Sequence, residues 1–160
     1  MKPDLIYVGL DKELGWEKFQ IPGLPRCYAI PETTVEELTV SLKGQLNVEV
    51  AQIIGQKDAK IQKVGFLVGG MSLGLSLDDL PMKFMNDNDL DVLVCGEILE
   101  WIVCAYVRDA AQLGLNKTMI ILGHNRTEEV GMQHLPNWLK PLFPEMQIVF
   151  IESGDPFTYV

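Results

Sequence analysis

Apolar residues recur along this chain in two periods. Val35, Leu38, Leu42 and Leu46 fall at helical intervals. Two overlapping helix-start signals precede them: Thr33 with Glu36, and Thr34 with Glu37, both have capping-box spacing. Shorter apolar runs at residues 48–54, 61–68, 90–94, 118–122 and 147–151 read as strands. From the second run onward a unit repeats, in which an apolar strand ends in glycine and a helix-like segment follows. Residues 64–68 end at Gly69 and Gly70, residues 90–94 near Gly96, residues 118–122 at Gly123, and residues 147–151 at Ser153 and Gly154. Residues 98–113 form the clearest helix and residues 126–139 the next. Strands alternating with helices predict βαβ units. The expected fold class is α/β, with a mainly parallel or mixed sheet and helices on both faces. Near-continuous apolar strands fit burial on both sides.

Residues 1–32 lack this order. Gly15, Pro22, Gly23, Pro25 and Pro31 punctuate them, and only residues 5–8 and 27–30 look extended. They are expected to form an irregular lead-in arm, leaving residues 33–160 as a single α/β domain. A chain of 160 residues supports one domain. At that length roughly two-thirds of the unfolded surface leaves water.

Charge narrows the partners. Thirteen Lys and Arg against 22 Asp and Glu give a net charge of −9, which repels phosphate backbones, so no nucleic-acid partner is expected. Cys27, Cys95 and Cys104 have neither metal-type nor redox-type spacing and read as buried free thiols of a reducing compartment. The first ten residues carry Lys2 and Asp4 and no long apolar run, unlike a signal peptide. The most apolar long window, residues 90–107, contains Asp91, Glu97 and Glu100, so no membrane span is expected. The expected location is the cytoplasm.

The strongest local signal for chemistry is Gly123-His124-Asn125-Arg126-Thr127-Glu128-Glu129-Val130-Gly131. His124 comes directly off a strand, and Glu128 lies four residues later. An early helix start puts both on one side, where imidazole and carboxylate make a mixed ligand set for a divalent metal. The plainer alternative is a polar strand end and an acid suited to a first helical turn. Glu97, after Gly96, and Glu100 are candidates for ligand, base or substrate contact, with a solvated first turn as the alternative. Trp101 is expected to pack. The stretch 69–74 matches neither the dinucleotide fingerprint nor the Walker spacing and reads as a tight strand-to-helix turn. His134, near Leu135 and Pro136, is expected to be structural.

Four features occur in order: Val68-Gly69-Gly70, Cys95-Gly96-Glu97, the Gly123-His124-x-x-Thr127-Glu128-x-x-Gly131 motif, and Glu152-Ser153-Gly154-Asp155-Pro156-Phe157. Over about residues 33 to 158 this series resembles the carboxyl-terminal half of the NIF-three family, also called GTP cyclohydrolase I type 2. Glu97-Ile98-Leu99-Glu100-Trp101 followed by Val107-Arg108-Asp109-Ala110 is similar to a bacterial branch of it. The resemblance implies an α/β fold, a dinuclear metal centre and a homo-oligomer, a ring-like hexamer. It makes His124 and Glu128 metal ligands for a divalent ion (Zn, Fe, Mn or Mg); Glu97, a nearby acid of unassigned role, is the catalytic candidate. The family's remaining ligands include histidines from its amino-terminal half, yet no histidine precedes His124 here. The implied site is therefore partial: the chain is a fragment, half of a two-chain site, or a degenerate member. The expected function is that of a relative of metal-dependent hydrolases acting on a small molecule, incomplete in this chain. The alternative is a non-catalytic oligomeric interaction or scaffold module. A flavodoxin-like nucleotide-binding domain rests on the glycine turns alone.

Overall fold

The computed structural model describes residues 4–73 and 81–160. Five strands form one mixed sheet: β1 (Cys27–Thr34), β2 (Gln52–Ile54), β3 (Lys60–Leu67), β4 (Val92–Cys95) and β5 (Thr118–Ile121), in the order β1-β3-β4-β5-β2. The central strands β3, β4 and β5 run parallel, with Val64, Val92 and Thr118 in register. The two edges are antiparallel, β1 on β3 and β2 on β5. Pro31 sits on edge strand β1, where its missing N–H costs no ladder bond, and the register shifts between Ala29 and Thr33.

Strand alternation divides the core. Val92 and Val94 of β4, with Ile120 of β5, face one side. Leu93 and Cys95, with Met119 and Ile121, face the other. The first face is covered by α1 (Leu5–Leu14), α2 (Val35–Gln45) and α5 (His124–Met132), through Leu10, Leu38, Leu42 and Val130. The second is covered by α3 (Pro81–Asp87) and α4 (Ala105–Gln112), through Met85 and Val107. Each fully buried Val, Leu or Ile contributes about 1.5–3 kcal/mol. The expected α/β class with helices on both faces holds.

The α2 start uses the second of the two overlapping signals. Thr34 Oγ1 accepts from the Glu37 amide at 3.2 Å, and Glu37 accepts from the Thr34 amide at 3.0 Å. Thr33 instead donates its hydroxyl to Glu37 at 2.9 Å.

The lead-in arm expected at residues 1–32 is corrected. Its described part is a helix and a sheet edge. Asp4 caps α1 by accepting from the Ile6 amide at 3.1 Å. Gly15, at φ 64°, closes the helix; its amide and that of Trp16 return to the carbonyls of Lys12 and Asp11. Tyr7, Leu10 and Leu14 are buried at helical spacing. Gly9 interrupts the apolar stripe because it is itself the contact: a Cβ there would lie 2.7 Å from the Gly131 Cα of α5. The prolines that suggested an irregular arm lie beyond the helix, Pro22 and Pro25 in the turns leading to β1 and Pro31 on β1 itself.

Two further expectations change. Residues 147–151 form no strand; Val149 and Ile151 are exposed. An apolar run makes a strand only beside a free ladder partner, and this segment lies off the sheet. The helix expected at residues 98–113 opens as a π-helical turn, Glu100–Cys104, before α4. That turn points Trp101 outward, 73% exposed, instead of into the core. Among the described residues no helix is long and apolar enough to cross a membrane.

Candidate functional site

The three parallel strands end side by side, and each is followed by a glycine. The Gly96 amide donates to the Leu67 carbonyl at 3.0 Å, the Glu97 amide to Gly69 at 3.1 Å, and the Gly123 amide to Gly96 at 2.9 Å. This ladder of turns is so close that a Cβ on Gly96 would lie 2.6 Å from the Gly69 nitrogen. Ligand sites of α/β sheets lie outside such carboxyl ends, and here three chemistry-bearing side chains do.

His124 opens α5 straight after Gly123, whose φ of 99° turns the chain out of β5. One helical turn on, Glu128 lies beside it; Nε2 of His124 is 3.5 Å from Oε2 of Glu128. Glu97 comes from the turn after β4, with its Oε1 3.1 Å from Nδ1 of His124. All three side chains are between about a third and half exposed. The imidazole thus stands between two carboxylates, one at each ring nitrogen. Ser72 anchors the Glu97 backbone by donating its hydroxyl to the Glu97 carbonyl.

Each fixed position of the His124 motif has a visible task. Thr127 is fully buried; its Oγ1 accepts from the Gly69 amide at 2.9 Å, tying α5 to the turn after β3. A side chain on Gly69 would collide with the Glu128 carboxylate. Gly131 lets α1 approach, since a Cβ there would meet the Ile6 backbone at 2.8 Å. The expected juxtaposition of His124 with Glu128 is present, and Glu97 joins it. Glu100 does not; it lines a separate groove with Trp101, Cys104 and Arg108. His134 is buried and faces Glu13 of α1 at 2.7 Å. The glycine-rich stretch is a 3-10 turn, Gly69–Leu73, and its last residue, Gly74, lies outside the described residues.

A second stripe of α5 carries residues whose role was not read from the sequence. Asn125 and Glu129, also four apart, hold the carboxyl-terminal tail. The Asn125 amide donates to the Gly154 carbonyl at 2.6 Å. Glu129 accepts from the Ser153 amide at 2.6 Å and its hydroxyl at 3.1 Å. Arg126 pairs with Glu129 at 3.3 Å and with Glu152. The bond to Glu152 raises the Arg126 pKa above its ordinary value. The doublet spacing 124/128 and 125/129 was the available signal. Beyond the clamp the tail borders a cavity of about 630 Å³ that also opens onto Glu97, His124 and Glu128.

The donor chemistry suits a divalent cation in part. Two ligands at about 2.0–2.1 Å from a tetrahedral ion sit roughly 3.3 Å apart, and His124 Nε2 and Glu128 Oε2 are 3.5 Å apart. Glu97, on the opposite nitrogen, does not converge on that point. Among the described residues no group of three or more His, Cys, Asp or Glu side chains is arranged to hold a metal. Cysteine chemistry is disfavoured: burial pushes the Cys95 thiol up to about 12 and the Cys27 thiol up to about 11, so both stay protonated at neutral pH.

A mixed five-stranded sheet whose parallel strands end around a histidine and two carboxylates defines an α/β protein with a polar site at its glycine turns. The family model for Duf34/NIF3 (NGG1p interacting factor 3) matches residues 10–156, and the chain belongs to that family. Solved structures share the fold. A Bacillus cereus protein related to NIF3 is 23% identical, with a TM-score of 0.63 over 84% of this chain and 35% of its own. Staphylococcus aureus protein SA1388 is 22% identical, with a TM-score of 0.60 over 84% of this chain and 41% of its own. Protein ybgI, described as of unknown function, is 19% identical, with a TM-score of 0.68 over 98% of this chain and 59% of its own. The chain therefore spans less than two-thirds of each of these proteins. No curated protein matches it.

Proposed function

We propose that this chain contributes part of a divalent-metal site of the kind used by metal-dependent hydrolases, with His124 and Glu128 as its two ligands. The observation that carries this reading is the 3.5 Å between His124 Nε2 and Glu128 Oε2 on one helical turn. That spacing is long for a hydrogen bond and right for two donors sharing one ion. A bound divalent ion supplies Lewis acidity and acidifies a water. Glu97 has two tasks. Facing Nδ1, it favours the tautomer with the proton there, which leaves the Nε2 lone pair free. Half exposed at the cavity, its other oxygen accepts a proton from water or substrate. Two protein donors hold an ion weakly, so a full site and turnover require donors from outside this chain.

Calorimetric titration with Zn²⁺ tests the reading. The expected result is one weak site, lost in both His124→Ala and Glu128→Ala, and little hydrolase activity. Binding unchanged by both substitutions defeats the ligand assignment. Two tightly held ions per chain with metal-dependent turnover defeat the claim of a partial site.

A second reading, association of copies through a scaffold surface, has its own observation. Leu142, Met146, Val149 and Ile151 are all more than half exposed along one stretch of chain. Sedimentation of His124→Ala distinguishes the two readings, because assembly then persists without metal uptake.

A further inference from the structure

The carboxyl-terminal tail has no regular secondary structure, yet its course is fixed by side chains. Three successive tail residues, Glu152, Ser153 and Gly154, are held by Arg126, Glu129 and Asn125 of α5. Past this clamp Asp155 shapes the next turn. Its carboxylate accepts from the Phe157 amide at 3.0 Å and from the Tyr159 hydroxyl at 3.2 Å. The result places Phe157 and Tyr159 at the cavity that opens onto His124 and Glu97, their ring centres 6.5 Å apart and tilted. Phe157 is 70% exposed, an aromatic face with no core behind it. A cavity of about 630 Å³ falls in the range of small-molecule sites.

Charge selects the ligand. Glu97, Glu128 and Asp155 border the cavity. Among the described residues that line it, the one Lys or Arg is Arg126, already offset by Glu129 and Glu152. An anionic group on the tail side meets net repulsion, while an uncharged planar ring finds two aromatic side chains and an apolar wall.

We propose that the tail is a specificity wall of the site: the Asn125–Arg126–Glu129 stripe of α5 clamps it so that Phe157 and Tyr159 receive the uncharged planar ring of a small-molecule ligand whose polar end reaches His124. This rests on the site being the functional one but needs no metal. Helix α5 then serves both ends of one ligand. Its 124/128 stripe presents polar chemistry, and its 125/129 stripe, one residue round the helix, positions the apolar wall. Glu129 is a positioning residue, since it contacts the tail and does not border the cavity.

Indole is a suitable probe, being uncharged, planar and non-coordinating. Titrated into the protein in EDTA and followed by amide NMR shifts, it is expected to perturb Gly123, His124 and Phe157. Phe157→Ala is expected to weaken it about tenfold, the scale of one aromatic contact with its buried area. Deletion of residues 155–160, exposed or half-buried and outside every strand and helix, is expected to weaken it at least as much with the thermal melt unchanged. Glu129→Ala is expected to do the same through the released clamp. Indole affinity unchanged by the deletion, or shifts centred on residues 142–151, overturns the proposal. Affinity lost on deletion but kept in folded Glu129→Ala overturns the clamp. Zn²⁺ uptake, measured separately on the same proteins, is expected to survive all three changes. Its loss in wild type alone would sink the metal reading and leave the wall standing.

Discussion

The two histidines of this chain sit at opposite ends of the same helix, and their surroundings differ. His134, just past the carboxyl end of α5, is 9% exposed and meets one carboxylate, Glu13. Around it α1 and α5 touch backbone to backbone through Gly9 and Gly131. His124, at the amino end, is about half exposed and stands between two carboxylates at the mouth of a cavity. The residue types are the same. At the packed end the pair joins two helices; at the open end the ring and both carboxylates border the cavity. Changes at the packed end should register as stability, and changes at the open end as binding.

The largest effect is expected at the packed end. In Gly131→Ala the new Cβ meets the Ile6 backbone, which no rotamer change relieves, so α1 must move away. Urea denaturation should show a loss of about 3 kcal/mol, the upper range for overpacking. A loss below about 0.5 kcal/mol would mean that the helix contact is softer than it looks. Next, His134→Ala should cost about 1.5 kcal/mol, a hydrogen bond to a charged group discounted for the partly exposed Glu13. Glu13→Gln in the same background should then cost little further, because the pair has already been broken. By contrast, His124→Ala should lie within about 0.5 kcal/mol of wild type. If both histidines cost the same, the contrast between the two ends fails.

The open end is sharpened by Glu97→Gln. Removing the charge at Nδ1 weakens the hold on the ring tautomer, and Zn²⁺ affinity should fall about tenfold, the lower range for a supporting residue of this type. Stability should barely change, since Glu97 is half exposed. Equal Zn²⁺ affinity in the two proteins would reduce Glu97 to a bystander.

Much of this was legible in the sequence. The strand-glycine repeat marked the three turns, because parallel buried strands are apolar throughout and the close approach of their ends admits only glycine at Gly96. The His124–Glu128 spacing was readable because the helix period brings i and i+4 together. Glu97 was recognised as a candidate, but its partner nitrogen was not, since that contact is set by strand order. The error at residues 1–32 has a specific cause. Residues 5–8 look extended by themselves, and the helical spacing of Tyr7, Leu10 and Leu14 is short and broken by Gly9, where the missing side chain is what packs. Residues 147–151 misled in the opposite sense: their apolar pattern was strand-like, but whether a ladder edge is free is a property of the whole sheet. The tail clamp depends on contacts between residues 24 to 29 positions apart, which no local pattern shows.

A third carboxylate completes the contrast and gives the smallest expected effect. Asp11, on α1, is 2% exposed and has neutral partners: the Tyr28 hydroxyl at 2.6 Å and the Gln20 amide. Burial raises its pKa above 3.8, against the lowering by those two hydrogen bonds, and Glu17 adds a further push upward. A raised folded-state pKa means that the protonated form is the favoured one inside the protein. Its contribution to stability is fully present below about 3.8 and is lost as pH rises through the folded value. Asp11→Asn removes that titration while keeping an acceptor for Tyr28. The urea midpoint of Asp11→Asn relative to wild type should therefore climb as pH rises above about 3.8 and level off once pH has passed the raised folded-state value. A difference that stays flat would show that Tyr28 and Gln20 fully offset burial. A difference that falls would show the charge on Asp11 to be stabilising, with the Tyr28 and Gln20 hydrogen bonds outweighing burial.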